Sequence, residues 1–132
     1  MMKKSNILFS IQPKYIKMIS DGNKLIEYRN TFWKVSYPQW FYVYESKPIS
    51  QLKYLILLDF PISNGEKIPF DTYKTDDFNE GKMNRKYAYP ILDFKEMSIP
   101  IPLKKLRSLG VTPPQNFCYI NNFPKLVREL KK

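Results

Sequence analysis

The sequence has no histidine and a single cysteine, Cys118, and these two shortages remove most familiar catalysis. One thiol makes no internal disulfide and no four-thiolate zinc site. Without imidazole there are no histidine metal ligands and no Ser-His or Cys-His nucleophile pairs. No metal and no cofactor are expected. Long apolar runs are missing as well. The longest, Tyr54 to Leu58, stops at Asp59, far short of a bilayer span. The stretch Ile7 to Phe9, behind Lys3 and Lys4, is too short for a signal peptide before Ser10 and Gln12. A soluble, cytoplasmic protein with no membrane partner is expected. There is no repeat, low-complexity tract or dividing linker, so residues 1–132 read as a single domain.

Acidic residues are also scarce, 12 against 22 Lys and Arg, which leaves a formal charge of +10 and points to a polyanionic partner. Aromatics are abundant, with 2 tryptophans, 10 tyrosines and 9 phenylalanines. Adenine- and thymine-rich codons supply Lys, Asn, Ile, Phe and Tyr, so charge alone decides little. Composition says nothing of the oligomeric state.

Periodicity gives the element order. Asn6 to Ile11 alternates as a first strand, and Gln12-Pro13 starts a helix with proline at its first position. Tyr15, Ile16 and Ile19 recur at helical spacing until Asp21-Gly22 ends it with a residue suited to positive φ. Lys24 to Arg29 alternates as a strand with Leu25, Glu27 and Arg29 on one face and Lys24, Ile26 and Tyr28 on the other. Trp40 to Ser46 is an aromatic strand, and Leu52 to Phe60 is apolar enough for a central one. Pro61 to Lys86 is a polar insertion or lid with a short helix near Thr72 to Glu80. Tyr87 to Met97 is a further strand with Pro90 at an edge or bulge. Pro102 to Leu109 is a helix capped by Gly110, Pro113 to Ile120 a last strand, and Pro124 starts a terminal helix. The expected architecture is α+β, a small mixed β-barrel of five to six strands with short flanking helices.

The segment Ile7 to Arg29, ILFSIQPKYIKMISDGNKLIEYR, resembles the opening signature of ASCH domains, a PUA-like family: strand, proline-started helix, then G-x-K-x-x-E-x-R at Gly22, Lys24, Glu27 and Arg29. VYESKPISQLKYLILLDF, DFNEGKMNRKYAYPILD and IPIPLKKLRSLGVTPPQNFCYI resemble later parts of the family in order, so the likeness runs from Asn6 to Ile120. It implies a PUA-like barrel whose cleft is lined by Lys24, Glu27, Arg29 and Ser46. It also implies RNA or modified nucleosides as ligands, and nuclease or amidohydrolase activity in some members. Members acting on acetylated cytidine carry Lys-x-x-Thr where this chain has Lys24 and Glu27, so that chemistry here requires a different nucleophile or base.

Two readings of each candidate stay open. Lys24, Glu27 and Arg29 form either a surface charge set on an edge strand or a cleft in which Lys24 and Arg29 bind phosphate or polarise a carbonyl while Glu27 orients Arg29 or accepts a proton, the Gly22 turn setting the long Lys24 side chain beside the pair. Trp33 and Tyr37, in the loop before the aromatic strand, are either core or base-stacking platforms, and Tyr87 either packs on the sheet or closes over the cleft. Trp40, Tyr42 and Tyr44 read individually as core before ligand platform, yet with Ser46 they share a face that a domain this small does not easily bury whole. Lys104, Lys105, Arg107 and the terminal Lys125, Arg128, Lys131 and Lys132 read as solvated helix faces. The leading expectation is an RNA-binding module using Lys24, Arg29, Ser46, Trp33, Tyr37 and Tyr87. The alternatives are a ribonuclease or amidohydrolase, with Glu27 as base and Lys24 stabilising negative charge, and a protein-interaction adaptor.

Overall fold

The computed structural model describes residues 4–132, and Lys3 of the N-terminal basic pair lies outside them. The elements in order are β1 (Lys4–Ile11), α1 (Pro13–Ser20), β2 (Ile26–Arg29), β3 (Gln39–Glu45), β4 (Gln51–Leu58), β5 (Ile62–Ser63), α2 (Thr75–Asn79), β6 (Tyr87–Pro102), α3 (Leu103–Ser108), β7 (Phe117–Tyr119) and α4 (Pro124–Leu130). The strands run in the spatial order β2-β6-β4-β3-β1-β7, with β5 added on β6. β1 pairs with β3 in parallel, and the other ladders are antiparallel. This is the expected α+β mixed sheet, curled into a half-barrel. The strand beyond the expected five to six is β5, two residues long and hidden inside the polar insertion.

The central strands are apolar on both faces because both faces are covered. Ile7, Phe9 and Ile11 of β1 join Phe41, Val43, Ile56 and Leu58 in a core under α1, which adds Ile16 and Ile19. The alternate residues Leu8, Trp40, Tyr42, Tyr44 and Leu57 form a second core, roofed by Leu106 of α3 and Leu126 of α4. One expectation is corrected here. Trp40, Tyr42 and Tyr44 are all buried, since the two C-terminal helices pack across that face.

Pro90 occupies a bulged, interior strand. β6 pairs with β2 through Tyr87 to Pro90, then with β4 from Ile91 onward, and its register slips between Ile91 and Asp93. A residue with no N–H is tolerated where the strand changes partners. The insertion is docked onto the sheet. Ile68 and Phe78 pack on Ile26 and Ala88, and the Tyr28 hydroxyl donates to Tyr73 O at 2.6 Å.

Candidate functional site

The site begins with how α1 ends. Gly22 has φ +79°, Asn23 N donates to Met18 O at 2.8 Å and Gly22 N to Ile19 O at 3.1 Å. These are the paired bonds of a Schellman cap, which needs a residue in the left-handed region. Lys24 N also donates to Met18 O, so the chain leaves the helix tightly and enters β2 only at Ile26. The expected strand from Lys24 is thereby corrected. Outside the pleat, Lys24 is free of strand alternation, and its side chain turns to the Glu27 side. Its Nζ donates to Ile26 O and lies 2.8 Å from Glu27 Oε1.

Arg29 completes the constellation from the other side. Its Nε donates to Glu27 Oε2 at 2.8 Å, Nη2 to Ser10 O at 2.9 Å and Nη1 to Asn116 Oδ1 at 3.1 Å, while the guanidinium lies 4.5 Å from the Phe9 ring centroid. β2 stands at one end of the strand order, with β1 and β7 at the other. Arg29 therefore closes the curled sheet with a side chain where, among the described residues, no backbone ladder does. The planar fork of donors suits this three-way link, which an ammonium group could not make.

All three side chains are nearly removed from solvent, with Lys24 5%, Glu27 8% and Arg29 12% exposed. That excludes a loose surface charge set. Burial raises the Glu27 carboxyl, but the charges of Lys24 and Arg29 and their hydrogen bonds outweigh it and hold the group below its ordinary value of 4.5. Glu27 is therefore ionised at neutral pH with each oxygen engaged by a cation, which makes it a weak proton acceptor. Lys24 donates two of its three ammonium hydrogens within the protein, and Arg29 uses one of the two on Nη1. Among the described residues, no hydrogen bond takes up the remaining hydrogen of either group.

Both cations line an open cleft of about 680 Å³, within the usual size for small-ligand sites. The insertion supplies its rim, with Lys74, Asp77, Lys82 and Arg85, so five cations face two carboxylates there. Lys74 sits at φ 64°, a left-handed conformation that costs a residue with a side chain about 1–2 kcal/mol. Tyr15, Tyr28 and Tyr73 give aromatic surface, with Tyr15 and Tyr73 6.1 Å apart, and Gln12, Asn30, Gln115 and Asn116 give amide donors and acceptors.

The structure thus brings together Lys24, Glu27 and Arg29. Ser46, Trp33, Tyr37 and Tyr87 are absent from the cleft lining. Ser46 is half-buried after β3, with its amide donating to Ile11 O at 3.0 Å. Trp33 is corrected outright as a stacking platform, being 2% exposed among Phe9, Phe41, Tyr89 and Phe117. Tyr37 is half-buried and donates its hydroxyl to Trp33 O, and Tyr87 packs beside the same core. Sequence reasoning missed the cleft tyrosines. Tyr15 was legible as a helix residue with apolar spacing, and Tyr73 and Lys74 lay in an insertion with no periodicity to orient them.

No family model matches the sequence, and neither does any curated protein. Solved structures do match. The crystal structure of ASCH from Zymomonas mobilis superposes with a TM-score of 0.64 over 92% of this chain and 93% of that one, at 20% identity. A Tyr-to-Phe mutant of the same protein gives 0.67 over 98% and 97%, and a Ser-to-Ala mutant 0.66 over 99% and 97%, both at 18% identity. With a proline-started helix, a Gly22 cap and a curled sheet clasped by Arg29, the chain has the fold of an ASCH domain, an α+β architecture.

Proposed function

We propose that this protein binds RNA, taking one nucleotide of a single strand into the cleft beside Lys24 and Arg29. The observation that carries this reading is the pair of buried cations held in place by Glu27, each with a hydrogen left over, under a rim of Lys74, Lys82 and Arg85. Fixed charge-assisted donors recognise phosphate oxygens or a base carbonyl, and the rim lysines and arginine neutralise flanking phosphates. Tyr15 and Tyr73 offer faces on which an unstacked base can lie, which favours single-stranded RNA. A hydrolase reading is weaker, because the carboxylate it needs as base is saturated by two cations.

The test is a salt titration of binding to a labelled single-stranded RNA oligomer. With the three rim cations on phosphates, log K should fall against log salt with a slope near −2, at about 0.7 per contact on a single strand. A flat response, or equal binding by the Lys82→Ala and Arg85→Ala proteins, removes the proposal.

A further inference from the structure

Outside the cleft lining, Phe60, Phe32, Tyr37 and Tyr87 form an aromatic patch. Phe60 is 60% exposed and meets Phe32 at 5.7 Å and Tyr37 at 5.5 Å, both edge-on, while Phe32 also contacts Tyr87 at 5.7 Å. Core packing does not require a phenylalanine to stand this far into water. Two cleft residues, Arg29 and Asn30, link the cleft to the patch. Arg29 and Tyr87 are direct cross-strand partners in the β2–β6 ladder, so their side chains share one face of the sheet as neighbours. Asn30, which lines the cleft, accepts the Lys86 amide at 3.0 Å, and Arg85 on the cleft rim precedes Lys86 and Tyr87 in the chain. Exposed cations Lys34, Arg85 and Lys86 thus lie within two residues of Phe32 or Tyr87. The nearest acid in sequence, Asp59, gives Oδ1 to the Phe60 amide at 2.8 Å.

We infer that Phe60 and Phe32 form a second subsite that stacks a base of the nucleotide flanking the one in the cleft, with Arg85 and Lys86 on the intervening backbone. This rests on the RNA-binding reading above and deepens it: the ligand is a strand of at least a few nucleotides, not a free nucleoside. The links to the cleft residues Arg29 and Asn30 and the neighbouring exposed Lys34, Arg85 and Lys86 favour a nucleic-acid strand, whereas a protein partner for the same patch has only its apolarity in its favour. The stacking surface tolerates any base, because every base presents a π face.

The experiment compares wild-type, Phe60→Ala, Phe60→Trp and Arg85→Ala proteins against a labelled eight-nucleotide RNA and, by competition, a single ribonucleotide. Phe60→Ala should weaken the oligomer about tenfold, the order of one stacked base, and leave the single nucleotide unchanged. Phe60→Trp should keep oligomer affinity and show tryptophan quenching on addition of the oligomer. If Phe60→Ala binds the oligomer as wild type while Arg85→Ala is weakened, the second subsite is wrong and the cleft reading stands. If wild-type protein binds neither ligand, the cleft reading fails and takes this inference with it. If Phe60→Ala leaves RNA binding intact but converts a dimer to a monomer in sedimentation, the patch is a contact between copies, which equally overturns the subsite.

Discussion

Lys24 and Arg29 sit nearly out of solvent, each bonded to Glu27 and to a backbone carbonyl. On the opposite roof of the sheet, Lys104, Arg107, Lys125 and Arg128 stand exposed on α3 and α4, and the nearby Glu129 takes Lys132 at 3.1 Å and Lys105 at 3.1 Å near the surface. The two groups carry the same sign and differ in constraint. A buried cation must be compensated in place, which fixes its geometry, while an exposed one is screened and mobile. The count of positive charge thus points to a class of partner, and burial points to the place.

The largest expected effect tests that constraint directly. Glu27→Ala leaves two buried cations without their counter-ion and should cost about 3–5 kcal/mol in urea unfolding. Glu129→Ala, which leaves only the exposed Lys105 and Lys132 without a counter-ion, should move the midpoint far less. A Glu27→Ala midpoint equal to wild type would erase the contrast.

Arg29→Lys is the next step down. It keeps the charge but loses the fork that reaches Ser10 and Asn116, and should cost about 1.5–3 kcal/mol, as for a hydrogen bond to a charged group. Circular-dichroism melts read it, and Arg107→Lys gives the matched control.

The pH dependence sharpens the same point. Because the folded Glu27 carboxyl lies below its ordinary value of 4.5, its contribution is fully present above that value and is lost as pH falls toward and through the folded pKa. Glu27→Gln should therefore flatten part of the acid arm of the stability curve below about pH 4.5, relative to wild type. An unchanged acid arm would mean that the carboxyl is not held low.

The smallest effects belong to the exposed cations. Lys82→Ala and Arg85→Ala should each leave the unfolding midpoint where it is and shallow the RNA salt slope by about 0.7. The double change Arg107→Ala and Lys125→Ala should leave both stability and short-oligomer binding as they were.

Much of this fold was legible because its signals are local. The helix-ending Gly22, the prolines opening α1 and α4, and the apolar run of β4 each act through residues a few positions away. The insertion was legible only as polar, and its two-residue strand β5 and the cleft tyrosine Tyr73 had no periodic signature. The burial of the whole Trp40, Tyr42 and Tyr44 face of β3 was not legible because it depends on α3 and α4, which follow about 60 to 80 residues later in the chain. Alternation alone put Lys24 on the opposite face from Glu27, whereas the Gly22 turn and a strand that starts two residues late set it beside the pair, as the turn itself implied.

What the sequence by itself determined is the order of elements, the excess of positive charge and the motif that sets Glu27 and Arg29 two residues apart on one strand. Only the tertiary structure decided that Arg29 meets Asn116, 87 positions onward, that Trp33 is core, and that Phe60 is left in water. The reason is that local geometry fixes which way a side chain leaves the backbone, whereas closing the sheet fixes what it meets.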